Sequence, residues 1–369
     1  MIDRIQVHVF RAPTPAPVAT SFGVMRDRPA VFVKLTARDG AWGWGEIFAN
    51  WPAAGAEHRA RLLIEDMADL VLGQPEDGLL ARLTDATRIR ALQCGEPGPF
   101  AQVIAGLDTA CADMAARRAG LPLARHLSPE AALRVPVYAS GIAVATAAEA
   151  LPRVRARGIH AAKVKVGFDA DADLRHLEAA ADFMSDGRLM ADANQAWDLP
   201  AARAFLDRAD TLGLVWLEEP LPAFAPAADW ASLAGAATPL AAGENVAGFE
   251  AFDTLIASRT VTFLQPDVAK WGGVTGNLAV ARAALAVGRV YCPHFLGGGI
   301  GLHASAHLLA AAGGPGLLEL DANENPLRDA FGTPLDGGDW MLGTAPGLGI
   351  ETLPPEIARY ETLALDTHL

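Results

Sequence analysis

The sequence predicts a parallel α/β barrel preceded by a smaller domain of sheet and helices, and three observations carry that prediction. After Leu133, short apolar runs alternate with alanine-rich helical stretches until eight candidate strands have passed. At the ends of seven of these runs stand Lys165, Asp192, Glu218, Glu244, Asp267, His294 and Glu319, spaced by 27, 26, 26, 23, 27 and 25 residues. Before Leu133 the rhythm is different, with alternating strands followed by helical spacing. One βα unit per interval returns the chain to the same rim, so the seven polar groups converge at the carboxyl end of the barrel, where such folds carry their active sites.

In chain order, Met1-Ile2-Asp3-Arg4 is charged at once and then alternates through Ile5, Val7 and Val9, which is a strand pattern rather than an apolar targeting run. Further strands are expected at 30–36 and 42–48, with a turn at Asp39-Gly40 and hairpin structure at Trp42-Gly43-Trp44-Gly45. Between the first strand and the second, residues 11–29 hold four prolines and the stretch Thr20-Ser21-Phe22-Gly23-Val24-Met25-Arg26, expected as a disordered connection or a lid. Ala49-Asn50-Trp51-Pro52 is a second lid candidate. Leu62, Leu63, Met67 and Leu70 then mark helices, interrupted by Pro75, Pro97 and Pro99. The barrel strands are expected at 135–140, 159–166, 189–191, 214–217, 240–242, 261–265, 289–292 and 317–320. Residues 295–318 lack Asp, Glu, Lys and Arg, but glycine runs and two histidines make them a buried helix with loops, not a membrane span. The domains are expected at 1–120, 121–320 and 321–369.

The chain has 369 residues, 51% hydrophobic and 20% charged, enough for one barrel and a smaller domain. A net charge of −13 argues against nucleic acid or an anionic membrane as partner, and leaves small acidic substrates open if a metal meets them locally. Cys94, Cys111 and Cys292 share no spacing, which predicts reduced thiols in a cytoplasmic protein rather than disulfides or a zinc site.

Only four lysines stand against 26 arginines, and two of them, Lys163 and Lys165, share one strand face. An arginine keeps its proton near neutral pH, whereas a lysine pressed among other positive charges can lose it and act as a base. The bland alternative is a solvated edge strand. Asp192, Glu218 and Glu244 form an all-oxygen set that selects Mg2+, with Mn2+ as a substitute. Asp267 and His294 suit a base oriented by a carboxylate, which gives the site two bases. A carbon acid beside a carboxylate is weak, so its enediolate must be held by a metal and by donors; Lys163 and a protonated Glu319 are candidates.

The motifs Lys163-Val164-Lys165, Asp192-Ala193-Asn194, Glu218-Glu219-Pro220, Gly243-Glu244-Asn245, Gln265-Pro266-Asp267, the turn from Lys270 to Gly276, Pro293-His294 and Leu318-Glu319 resemble the mandelate racemase subgroup of the enolase superfamily. The resemblance implies a (β/α)7β TIM-like barrel under an α+β capping domain, with the segment after about residue 321 returning to the cap. It also implies Lys165 as base for one face of a small-molecule carboxylate substrate and Lys163 as support for the carboxylate. Asp192, Glu218 and Glu244 become magnesium ligands, His294 with Asp267 serves the other face, and Glu319 hydrogen-bonds the enediolate. Asn194, Lys270, Arg26 and Trp51 are expected to meet substrate, with Arg26 and Arg28 facing a distal carboxylate or hydroxyls. Lys270 also competes as second base in the muconate-lactonizing manner, though the Asp267–His294 pair is preferred. The stretch from Leu318 to Arg328 is closer to acid-sugar enzymes, which places dehydration ahead of lactone cycloisomerisation and racemisation. A catalytically silent binding protein is the non-enzyme alternative, and a homo-oligomer is expected. His303 and His307, four apart on one helix, are expected to serve packing or face solvent rather than bind a metal.

Overall fold

The computed structural model describes residues 1–20 and 23–369, apart from the side chains of 16–20. Three strands open the chain, β1 (Ile2–Thr20), β2 (Gly23–Ala37) and β3 (Trp42–Ile47). Eight more alternate with helices: β4 (Arg134–Ala143), β5 (Ala161–Lys165), β6 (Arg188–Asp192), β7 (Leu217–Glu218), β8 (Leu240–Ala242), β9 (Phe263–Leu264), β10 (Val290–Tyr291) and β11 (Leu318–Asp321). The hairpin β12 (Leu335–Asp336) and β13 (Asp339–Met341) follows, and β14 (Glu361–His368) ends the chain.

The N-terminal sheet is antiparallel in the order β14-β1-β2-β3, so the last strand of the chain lies beside the first. Residues 11–20 and 23–29 are strand and not loop. They prolong β1 and β2 as one hairpin, whose register breaks between Pro13 and Val18, where the prolines fall. Past Phe10, β1 has lost β14 as a neighbour, and an edge strand tolerates residues that cannot donate to a ladder. Ser21 and Phe22, at the tip of the expected lid, lie outside the described residues. Trp42-Gly43-Trp44-Gly45 is strand β3 itself, seated on the helix Pro97–Arg118. A Cβ at Gly45 would fall 1.9 Å from the Gly106 carbonyl oxygen, so only glycine lets this helix approach so closely.

In the barrel, β4 to β10 are parallel neighbours in chain order and β11 pairs with the free side of β4. The seam between β10 and β11 is bridged where Leu317 N–H donates to Cys292 Sγ at 3.4 Å. Inside, an apolar layer of Tyr138, Met190, Trp216 and Cys292 closes the lower end. Two residues farther along β5, β6 and β7 the inward positions become Lys163, Asp192 and Glu218, and the interior turns from apolar to charged. His303 and His307 do not face solvent. His307 is fully buried with Nδ1 accepting from Ala124 N–H at 3.0 Å, His303 meets Trp340 edge-on at 5.3 Å, and burial lowers them to about 3 and about 4. Both are neutral packing groups. Among the described residues no helix is long and apolar enough to cross a membrane.

Candidate active site

Strand register builds the site. Lys165, Asp192 and Glu218 are direct partners across β5, β6 and β7, so three charged side chains stand side by side at the carboxyl rim. The turns that follow are strained: Asn194, Gln195 and Glu219 hold φ values of 45°, 64° and 38°, a cost tolerated where surrounding bonds fix the backbone. Gly243, with φ of 149°, admits the Gln265 backbone beside it, where a Cβ would lie 2.7 Å away. An isolated bridge between Asp267 and His294 joins the next two turns.

The two lysines of β5 are both buried, which rules out the solvated edge strand, yet they meet different partners. Lys163 Nζ donates to both Glu218 oxygens at 2.8 and 2.7 Å and pairs with Glu319 Oε1 at 2.9 Å. Burial alone would lower its pKa, but Glu218 and Glu319 outweigh that and raise it well above the ordinary value, so Lys163 is a fixed cation. Lys165 Nζ instead donates to the Asn194 amide oxygen and stands 3.5 Å from Asp192 Oδ2.

His294 is gripped at both ring nitrogens, Nδ1 by Asp267 Oδ2 at 2.7 Å and Nε2 by Glu244 Oε2 at 2.6 Å. Against burial, Glu244 and Glu319 raise its pKa and keep it charged. Lys270 Nζ lies 3.3 Å from Glu244 and over the Phe48 ring, and Glu244 and Asp267 overcome burial to raise its pKa too. A lysine held as a cation is a poor candidate for second base. Glu319 accepts from Phe295 N–H at 3.0 Å, and Lys163 and His294 hold it below the usual range despite burial.

Burial pushes Glu218 up to about 7 against the pull of Lys163, with Asp192, Glu319 and Glu244 adding to the rise. Burial and Glu244 raise Glu219 well above the usual range; its carboxyl accepts from Asn245 Nδ2 at 2.8 Å. Six buried acids, Asp192, Glu218, Glu219, Glu244, Asp267 and Glu319, thus face three lysines and one histidine. That surplus of carboxylate, on adjacent strand ends and without sulfur, suits a hard divalent cation. Among the described residues no three acids or histidines are drawn together tightly enough to hold an ion as they stand, because Lys163 occupies Glu218 and His294 occupies Glu244.

A cavity of about 650 Å³ opens over this cluster, walled by both domains. Lys165, Asp192, Asn194, Glu244, Lys270 and His294 line its floor, whereas Lys163, Glu218, Asp267 and Glu319 lie one layer beneath. Trp51 lines the cap side, its ring against Gly23. Arg26 does not line this cavity: it is exposed, whereas Arg28, two residues farther along the same face of β2, is buried and does. Arg28 donates to Asp321 Oδ2 at 2.7 Å, and its buried Nε has no partner. Asn323, Asn245, Gln265 and Glu219 carry no assignment from the sequence; the last three sit inside the quoted motifs, one or two residues from groups that do, and Asn323 lies two past Asp321.

Comparison with known proteins agrees with this geometry. Residues 4–127 match the mandelate racemase / muconate lactonizing enzyme N-terminal domain, and residues 145–356 match the enolase C-terminal domain-like family. A mandelate racemase/muconate lactonizing enzyme from Bordetella bronchiseptica RB50 superposes with a TM-score of 0.89 at 49% identity, over 95% of this chain and 97% of that one. The L-talarate dehydratase of Polaromonas sp. JS666, solved with Mg and L-glucarate, gives 0.86 at 26% identity over 100% and 99%. A D-galactarolactone cycloisomerase from Agrobacterium fabrum is 27% identical over 95% of this chain and 96% of its own.

Proposed function

This chain belongs to the mandelate racemase/muconate lactonizing enzyme family of the enolase superfamily, and we propose that it takes the proton α to the carboxylate of a polyhydroxylated acid and expels the β-hydroxyl. The observation that carries the reading is that two candidate bases from separate strands, Lys165 and the Asp267-held His294, line one cavity.

Lys165, whose Nζ meets a neutral amide oxygen, accepts the α-proton and the substrate becomes an enediolate. Asp192, Glu218 and Glu244 are the oxygen donors that would hold Mg2+, which when bound supplies positive charge against the enediolate oxygens. Lys163 fixes Glu218 and Glu319 from below. His294, tied to Asp267, delivers its proton to the β-hydroxyl, which leaves as water. The enol then becomes a 2-keto-3-deoxy acid. At the far end of the cavity Arg28 and Asn323 are placed to meet a second carboxylate or hydroxyls.

The test is a screen of acid sugars in deuterated water with Mg2+, followed by a carbonyl reagent. Dehydration yields a keto acid carrying deuterium at C3. No keto acid from any acid sugar, together with α-deuteration of an aromatic 2-hydroxy acid, overturns the choice in favour of racemisation. Lactone cycloisomerisation is the second reading, supported by the Agrobacterium relative, and sugar lactones belong in the same screen.

A further inference from the structure

Four of the barrel helices find N-terminal caps, in two different places. On the Lys165 side they are self-capped: Asp169 accepts from Ala172 N–H at the head of the helix Ala170–Phe183, and Asp198 accepts from Ala201 N–H at the head of the helix Leu199–Ala209, both at 2.9 Å. The helices Gly273–Ala286 and Gly299–Ala312, which follow the turns carrying Asp267 and His294, begin at Gly272 and Gly298 and have no cap of their own. Their caps come from the other domain. Glu46 on β3 accepts from Gly298 N–H and, at 2.8 Å, from Gly301 N–H; Asp108 on the helix Pro97–Arg118 accepts from Thr275 N–H at 2.8 Å.

Two further observations point the same way. Phe48 N–H donates to Ala269 O at 3.3 Å and Asn50 Nδ2 to Leu296 O at 3.0 Å, so the segment after β3 touches both turns directly. A Cβ at Gly273 would lie 2.6 Å from Asp108 Oδ2 and one at Gly297 2.7 Å from Glu46 Oε1, so these glycines leave room for the incoming carboxylates. Since β3 and the helix Pro97–Arg118 are locked together through Gly43 and Gly45, both carboxylates belong to one block.

We propose that Glu46 and Asp108 are positioning residues for the Asp267–His294 half of the site: the capping domain is seated on the turns that carry this pair and fixes their geometry, while the lysine half stands on the barrel's own caps. The proposal rests on the reading of His294 as the group that protonates the leaving hydroxyl. A carboxylate at a helix N-terminus satisfies otherwise orphaned donors and favours the positive end of the helix, so its loss loosens the first turn and the loop before it.

Backbone hydrogen exchange on the full-length protein tests this in Glu46→Ala, Asp108→Ala and, as a control for self-capping, Asp198→Ala. Exchange in peptides covering 266–275 and 293–301 rises roughly five- to tenfold in the first two variants, the worth of one helix cap, while 165–173 and 192–199 keep wild-type rates. In the control only 192–199 exchanges faster, and 165–173, 266–275 and 293–301 keep wild-type rates. On the acid sugar returned by the screen, the cap variants lose kcat at unchanged KM. Loosening that is equal in all four segments, or absent, overturns the proposal, and so does loosening of the dyad turns with kcat intact. Exchange is readable whether or not an acid sugar is turned over. An inactive His294→Asn with cap variants of normal kcat would sink only the positioning role, whereas a fully active His294→Asn would sink the reading on which it rests.

Discussion

Lys163 and Lys165 point the same way from one strand, and their partners alone separate their work. Two carboxylates within 2.9 Å make Lys163 a permanent cation, whereas the amide of Asn194 gives Lys165 Nζ a partner without charge. Lys165→Arg keeps the charge and removes the base, so kcat falls roughly 10²–10⁴-fold with the melting temperature unchanged; near-normal turnover would refute the assignment. Arg26 and Arg28 are equivalent candidates in the sequence, because two residues apart on a strand they share a face, and only the packing of the barrel mouth against β2 buries one and leaves the other exposed. Arg28→Gln takes from buried Asp321 the nearer of two arginines, leaving Arg328 at 3.8 Å and the donors of Asn323, and costs roughly 1–3 kcal/mol of stability. Arg28→Gln with Asp321→Asn recovers most of that stability but not the affinity for a dicarboxylic acid sugar, for which KM stays roughly 10–100-fold high. Equal KM in the wild type and the double variant would remove Arg28 from substrate recognition.

At the scale of elements, what the sequence makes legible is what repeats. A βα unit of nearly constant length carries its own register, so spacing alone puts Asp192, Glu218 and Glu244 on one rim; strand pairing sets Asp192 beside Glu218, and the turn after β8 carries Glu244. The hairpin over 11–29 is hidden because its ladder pairs residues that lack an alternating pattern, and because proline reads as a break unless the strand is known to be an edge. The glycines of β3 are hidden for the opposite reason: their partner is a helix some 60 residues away, and no local pattern reports close approach. Gly45→Ala is expected to cost about 1–3 kcal/mol or more, seen as a lower melting temperature, since the new methyl would meet Gly106 backbone. Gly235→Ala, with nothing within 4 Å, is the control and stays close to wild type.

For the molecule as a whole, charge is the controlling quantity. The chain carries −13 overall, and its densest acid is buried at the barrel mouth, where six carboxyl groups face four basic ones. Burial and its acidic neighbours push Glu218 to about 7, so below that pH a proton resides there in the absence of an ion. A divalent cation that binds the folded state and not the unfolded chain raises the melting temperature, by about 2.7 kcal/mol of stability at a hundred times its Kd. Because the ion requires Glu218 as a carboxylate, binding must displace that proton below pH 7 and need not above it. The stabilisation by Mg2+ should therefore be small at pH 6 and grow through pH 7 to a plateau near pH 8, and chelation should abolish it at every pH. Glu218→Gln removes both the ligand and the titrating group, so its smaller shift should be flat with pH. A wild-type shift that is independent of pH, or that Glu218→Gln leaves intact, would place the ion elsewhere and leave the carboxylates of β6 and β7 serving only their lysines.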